Sequence, residues 1–295
     1  MLWIFATLVA AGAQTARNAM QSSLTATLGT LGATQVRFVY GLPFAVAFLS
    51  VAAAIAGASV PAPTRAFLAY TAGGAIAQIA GTALLLAAMQ ARSFSVATTF
   101  NKTEAVQVAI FGVVLLGEHL PFATAAAIVI ATAGVVLIAA KPGVSLGSGG
   151  ARPVVYGIAS GACFAIASVG FRGGILELGE GAYYLRASAT LVWALAFQAL
   201  LLGAWMMLFA RRALLASFEL WRQSLVAGFF GAFASQFWFL GFSLTAAANV
   251  RALGLVEVVF AHAVAHRVFA QRASAREALG MGLAVAGVAL LLLTI

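Results

Sequence analysis

The chain is poor in charge. Asp, Glu, Lys and Arg together make up 8% of its 295 residues, against about 25% in a typical soluble domain. No Asp is present, and all seven acidic residues are Glu. Such a composition excludes a water-soluble globule, whose surface must be largely polar. Three His and no Asp also leave little from which to build a nucleophile–base pair or a metal cluster, which argues against an intramembrane enzyme. The single cysteine, Cys163, sits in an apolar run, cannot form an internal disulfide, and reads as a small packing residue. The 16 Lys and Arg give a formal charge of +9, but they stand mostly singly between apolar runs. That is the pattern that sets membrane orientation, not a nucleic-acid-binding patch.

Hydrophobic residues are abundant. They form 63% of the chain, and the mean hydropathy is +1.06. A spanning helix needs about 20 apolar residues. Charge-free runs supply eight such segments: 1–16, 38–64, 66–91, 120–140, 153–171, 187–210, 223–250 and 278–295. Two further segments, 94–116 and 248–269, are long enough but carry charge. The expected fold is therefore all-α, a polytopic membrane protein of ten transmembrane helices. The alternating pattern of a β-barrel is absent. The start lacks a basic leader, so the first helix is expected to be retained rather than cleaved.

Residues 141–152 have the only linker-like composition, and they divide the chain into 1–140 and 153–295. The halves resemble each other. Ala131, Ala133, Gly134, Val135 and Leu137 recur, displaced by 153, as Ala284, Ala286, Gly287, Val288 and Leu290, and the same shift carries Glu104 onto Glu257. Arg37 and Arg186 match at a shift of 149, Arg17 and Arg172 at 155. A unit of five spans ends on the opposite side from its start, so a second copy must be inserted upside down. Two inverted five-helix repeats are a construction of secondary transporters.

Leu116-Gly117-Glu118 after an apolar helix, Pro121 opening the next and the Ala133-Gly134-Val135 core resemble the repeat of the drug/metabolite transporter superfamily, EamA type. The second copy keeps Ala286-Gly287-Val288 but reads Phe269-Ala270-Gln271 in place of Leu-Gly-Glu, and Glu104 and Glu257 stand near where many relatives carry an apolar-Pro pair. The resemblance implies ten helices in two inverted repeats, with helices 1–4 and 6–9 around a central cavity and helices 5 and 10 at the pseudo-dyad. It also implies export of amino acids, aromatic ones especially, as in some bacterial members, or of other metabolites.

Charge in the fourth and ninth segments is the strongest internal clue, because a charge at mid-bilayer costs about 2.5–3.5 kcal/mol on insertion scales. Asn101 and Glu104 share a helical face, whereas Lys102 and Glu104 point apart. Asn249, Leu253 and Glu257 form the matching face of the ninth segment. Glu104 and Glu257 are candidate cavity residues, the alternative being structural pairing with arginines of neighbouring helices. Arg37 and Arg186 are the candidates for that pairing or for a gate, together with Lys102; as helix-end arginines they also suit snorkelling. Gln14, Gln78 and Gln236 lie within apolar runs, where an amide either contacts substrate or glues helices together. Trp238 could stack on an aromatic ligand or simply pack.

Other patterns carry little. His262 and His266 share a face without a third ligand, so no metal is expected. Gly143–Gly147 matches a nucleophile-elbow pattern in the linker, without the strand and helix that motif needs. No Walker loop is present and no cofactor is expected, so transport would run on a gradient, by proton coupling through Glu104 or Glu257 or by facilitated diffusion. Eleven Lys and Arg follow odd-numbered helices and four follow even-numbered ones. By the positive-inside rule both termini then face away from the cytoplasm. The sequence thus reads as a secondary transporter of a bacterial inner membrane, a monomer or homodimer embedded in lipid. It would move small amphiphilic substrates, amino acids first. The alternatives are a carrier of cationic drugs or sugar-like metabolites, or a membrane assembly subunit. No nucleic-acid partner is expected.

Overall fold

A computed structural model describes residues 1–90, 99–139, 152–258 and 274–294, excepting the side chains of 18–23, 26, 30, 86, 88–90 and 153. The described residues are all-α, with no strand. In chain order the helices are α1 (Leu2–Val39), α2 (Leu42–Ala56), α3 (Arg65–Gln90), α4 (Glu104–Leu116), α5 (Phe122–Ala139), α6 (Arg152–Glu177), α7 (Tyr183–Phe209), α8 (Arg211–Glu219), α9 (Trp221–Leu244), α10 (Ala247–Gly254) and α11 (Ala275–Thr294). Eight stretches of helix among the described residues are long and apolar enough to cross a membrane. They correspond to the second to eighth and the tenth expected segments. Large apolar side chains stand outward along them, Ile55 and Val114 71% exposed and Leu200 70%. Water would not tolerate that coat, whereas hydrocarbon does. The protein is an integral membrane protein.

Local chemistry sets the helix ends. Thr64 accepts a bond from the Phe67 amide and starts α3. Ser274 and Glu277 satisfy each other's amides at the start of α11, in the reciprocal S-x-x-E cap. Leu116-Gly117-Glu118 is a helix stop: Gly117 takes the left-handed conformation (φ 64°), its amide donates to Val113, and the Glu118 amide donates to Gly112.

Several expected boundaries move. The first segment and the stretch expected as the loop after it are both helical: α1 runs to Val39 with a break at Gly29 (φ 67°, ψ 173°), while the second segment lies mostly in α2, so Arg17 and Arg37 lie within helix and not in a loop. Glycine makes room for them: a Cβ on Gly231 of α9 would lie 3.1 Å from Arg37 Cγ and 3.9 Å from Arg17 Cδ. Arg251, expected in the loop after the eighth helix, lies inside α10. The seventh and eighth segments are joined by a short helix, α8, which the search for long apolar runs passed over.

The chain divides into two compact units, each drawing on both halves. The first comprises 1–79 and 170–245, the second 80–169 and 246–295. Within the first, α9 packs along α1, and Gly228 admits the Tyr40 backbone, a Cβ there falling 2.7 Å from the Tyr40 carbonyl oxygen. Within the second, α5 and α11 meet backbone to backbone. A Cβ on Gly134 would lie 2.6 Å from the Gly280 carbonyl oxygen, and one on Gly287 2.8 Å from that of Ala127. Apolar burial offers no drive between helices in lipid, so close approach through small residues takes its place.

The register of that contact is informative. Thr124 meets Thr294, Ala131 meets Gly287, Gly134 meets Ala284 and Ile138 meets Gly280. One number falls as the other rises, so α5 and α11 run antiparallel. Gly134 touches Ala284 while Gly287 touches Ala131, and these residues are the matched members of the 153-residue displacement. Exchange of partners between equivalent positions is the mark of a two-fold contact.

Candidate functional site

The fourth span is interrupted. Helix runs from Thr99 to Asn101, turns at Lys102 and Thr103, and resumes as α4 at Glu104. At the turn the amides of Lys102 and Thr103 reach back only three residues, to Thr99 and Phe100. The ninth segment breaks too. Extended backbone at Thr245 and Ala246 precedes the eight-residue α10, and a turn follows at Leu255, whose amide donates to Ala252. Lys102 displaced by 153 falls on Leu255, so the two tightened turns occupy equivalent places. The expected face Asn249–Leu253–Glu257 is thereby divided by the turn. Interrupted spans at corresponding positions are the usual pointer to a transporter's binding region.

At this break lies an ion pair. Arg251 of α10 donates through Nε (2.7 Å) and through Nη2 to one oxygen of Glu104, Oε1. The side chains are 20% and 15% exposed. Arg251 is therefore the partner of Glu104, in place of the expected Arg37 or Arg186. Its position inside the charge-bearing ninth segment was the available signal. Gln107 braces the same turn, donating to Thr103 Oγ1 at 2.8 Å and to the Ile158 carbonyl at 3.4 Å. Gly161 of α6 lets the turn approach, a Cβ there lying 3.2 Å from the Asn101 carbonyl oxygen. Asn101 Oδ1 is buried and meets no donor among the described residues. Lys102 is half-buried on the turn, and Glu257, also half-buried, follows the second turn.

The remaining candidates belong to the first unit, where they tie helices together. Trp238 Nε1 donates to Gln14 Oε1 at 2.9 Å, joining α9 to α1. Gln236 Nε2 donates to Ser188 Oγ at 2.9 Å, joining α9 to α7. Gln198 donates to Gln78, joining α7 to α3. Gln35 adds a fourth tie, donating to the Ala199 carbonyl at 3.1 Å. Gln198, Gln35 and Ser188 were not among the expected residues, although a lone amide in an apolar run was the signal for Gln198. Gln236 Oε1 is buried and meets no donor among the described residues. Arg186 donates from Nη1 to the Gly179 carbonyl at 2.6 Å, in the turn before α7. Arg37 lies over the Phe38 ring at 5.4 Å. Among the described residues no group of His, Cys and Glu could hold a metal, and His262 and His266 lie outside them.

No family model matches this chain, and no curated protein does. Among solved structures 27 chains match. One of these, described only as the crystal structure of a protein, superposes with a TM-score of 0.74 over 99% of this chain and 95% of its own, at 17% identity. That likeness is one of fold.

Proposed function

We propose that the protein is a secondary transporter of the drug/metabolite transporter type, built from two inverted repeats of five spans and working by alternating access. The observation that carries this reading is the reciprocal, antiparallel register of α5 and α11, in which Gly134 meets Ala284 and Gly287 meets Ala131. Equivalent spans that run in opposite directions are what an upside-down second copy requires. Two near-equivalent packings of such copies open a pathway to alternate sides. The matched turns at Lys102-Thr103 and Leu255 supply the irregular backbone that substrate sites in carriers use.

The substrates are small amphiphilic metabolites, hydrophobic and aromatic amino acids first, moved outward down or against a gradient across a bacterial inner membrane. Glu104 and Arg251 offer one carboxylate and one guanidinium at a break in the spans, a fitting surround for a solute bearing both charges. Counterflow in proteoliposomes tests the proposal. Vesicles loaded with a mixed pool of unlabelled amino acids should accumulate labelled phenylalanine or leucine transiently, and Glu104→Gln should abolish the overshoot. Absence of saturable exchange for every member of the pool would refute transport. The four amide ties favour a second reading, a membrane assembly subunit with a sealed interior, and that reading requires no flux at all.

A further inference from the structure

The residues around α8 have no role in the reading above, and they form a surface of distinct chemistry. The helix is short and strongly amphipathic, set between two spans. Leu214 and Ser217 are buried on one side, and the Tyr40 hydroxyl donates to the Ser217 carbonyl at 3.2 Å, fixing the helix to its unit. The exposed side presents Arg211, Leu215 and Phe218, spaced for one helical face, with Arg212 and Glu219 beside them, all exposed. Exposed aromatics bracket it: Trp205 and Phe209 close α7, their rings tilted with centroids 5.4 Å apart, and Trp221 opens α9. Arg222 is exposed and its guanidinium lies over the Trp221 ring at 5.3 Å. Glu219 is the single acid between 205 and 222.

This arrangement suits one partner. Tryptophans at the ends of spans sit at the headgroup level, and a helix with one exposed face both cationic and apolar lies in that same plane. Arg211 and Arg212 occupy the first turn of α8, where the helix dipole is already positive. Two cations there repel the helix end, and an anion bound between them removes the conflict. Leu215 and Phe218 continue the face beneath, at the depth of acyl chains. We propose that α8 and its flanks bind anionic phospholipid, with headgroup phosphates at Arg211-Arg212 and at Arg222 and acyl chains against Leu215 and Phe218.

Phosphatidylglycerol with brominated acyl chains, titrated into the whole protein in neutral detergent, tests this through quenching of Trp205 and Trp221. Each arginine near an anionic surface strengthens binding about fivefold. The Arg211→Gln/Arg212→Gln/Arg222→Gln variant should therefore bind phosphatidylglycerol roughly a hundredfold more weakly. Brominated phosphatidylcholine should quench wild type and variant alike. An Arg65→Gln/Arg152→Gln variant, lacking exposed arginines elsewhere, should keep wild-type affinity. Equal affinity of the triple variant, or equal binding of the two lipids by wild type, overturns the proposal. So does displacement of the lipid by millimolar inorganic phosphate, which would mark a site for a free anion. Should the triple variant not fold, Arg222→Gln alone carries the same test with a single fivefold step.

Discussion

The two compact units hold themselves together by different means. In the first, neutral amides bridge the spans: Gln14 to Trp238, Gln78 to Gln198, Gln236 to Ser188. In the second, turns interrupt the helices at Lys102-Thr103 and Leu255, α5 and α11 meet through paired glycines, and the bridging pair Glu104–Arg251 is charged. The contrast follows from what lipid permits. A regular helix satisfies its own backbone and tolerates an amide that finds one partner. A broken helix frees backbone groups that need protein around them, and the same enclosure lets a charged pair persist. Charge and irregular backbone thus keep company at the Lys102-Thr103 turn.

The sharpest way to break this comparison is to remove the glycine contacts. Leu at Gly134 or at Gly287 would drive a side chain into the facing backbone, where even a Cβ falls within 3 Å of carbonyl oxygens. Overpacking of a tight contact costs about 1–3 kcal/mol and more where backbone must move. Both variants should lose at least ~3 kcal/mol and most of their monodisperse yield, by equal amounts if the contact is two-fold. Gly73→Leu, with open space at its Cβ, should be tolerated, as size-exclusion chromatography with thermal unfolding will tell. Unequal losses at Gly134 and Gly287 would count against equivalence of the two halves.

Next in size is the ion pair. Removing one partner of a buried pair costs about 3–5 kcal/mol, and partial exposure of this one brings the expected loss to about 2–4 kcal/mol. Arg251→Met and Glu104→Gln should each approach that figure. The double variant should lose less than the two together, giving a coupling of about 1–3 kcal/mol in a double-mutant cycle. Additive losses would mean that the two groups do not depend on each other.

A smaller effect is expected at Gly29. Its φ of 67° with ψ of 173° lies in a region that side chains avoid, although no atom lies within 4 Å of a Cβ there. Gly29→Ala should cost about 1–3 kcal/mol from backbone strain alone. A loss near zero in detergent unfolding would show that α1 straightens without harm.

Much of this architecture could be read in the residues. Apolar runs located most of the spans, and the Ala-Gly-Val recurrence falls on the two helices whose backbones meet, because close packing in lipid leaves small residues at the contact. Leu116-Gly117-Glu118 marked a helix stop whose physics is local. Partners were less legible. Arg251 looked like a loop residue because Gln223–Val250 is free of charge up to its edge, and run length says nothing of where backbone turns. Arg17 and Arg37 suggested a loop between them, yet the chain is helical on both sides of Gly29 and breaks only there. Nor does an amide in an apolar run declare its function. Its partner sits more than a hundred residues away for Gln14 and Gln78, so ligand contact and helix tie look alike until the fold is known.

The amide ties should therefore yield the smallest effects, and their smallness is itself a test. Trp238→Phe keeps the ring's bulk near Phe242 and deletes the bond to Gln14. Interhelical side-chain bonds in membranes contribute about 0.6 kcal/mol on average, because a partly unfolded chain finds other partners for the freed group. A loss of about 0.5–1 kcal/mol is expected, with counterflow unaltered, and Gln198→Leu should behave likewise. The ratio of effects then separates the units: ties in the first are replaceable, while the pair in the second is not. Were Trp238→Phe instead to abolish counterflow at near-wild-type stability, the indole would belong to the substrate and not to the scaffold. The contrast between replaceable amide ties and an irreplaceable charged pair would then have to be redrawn with α9 on the side of the pair.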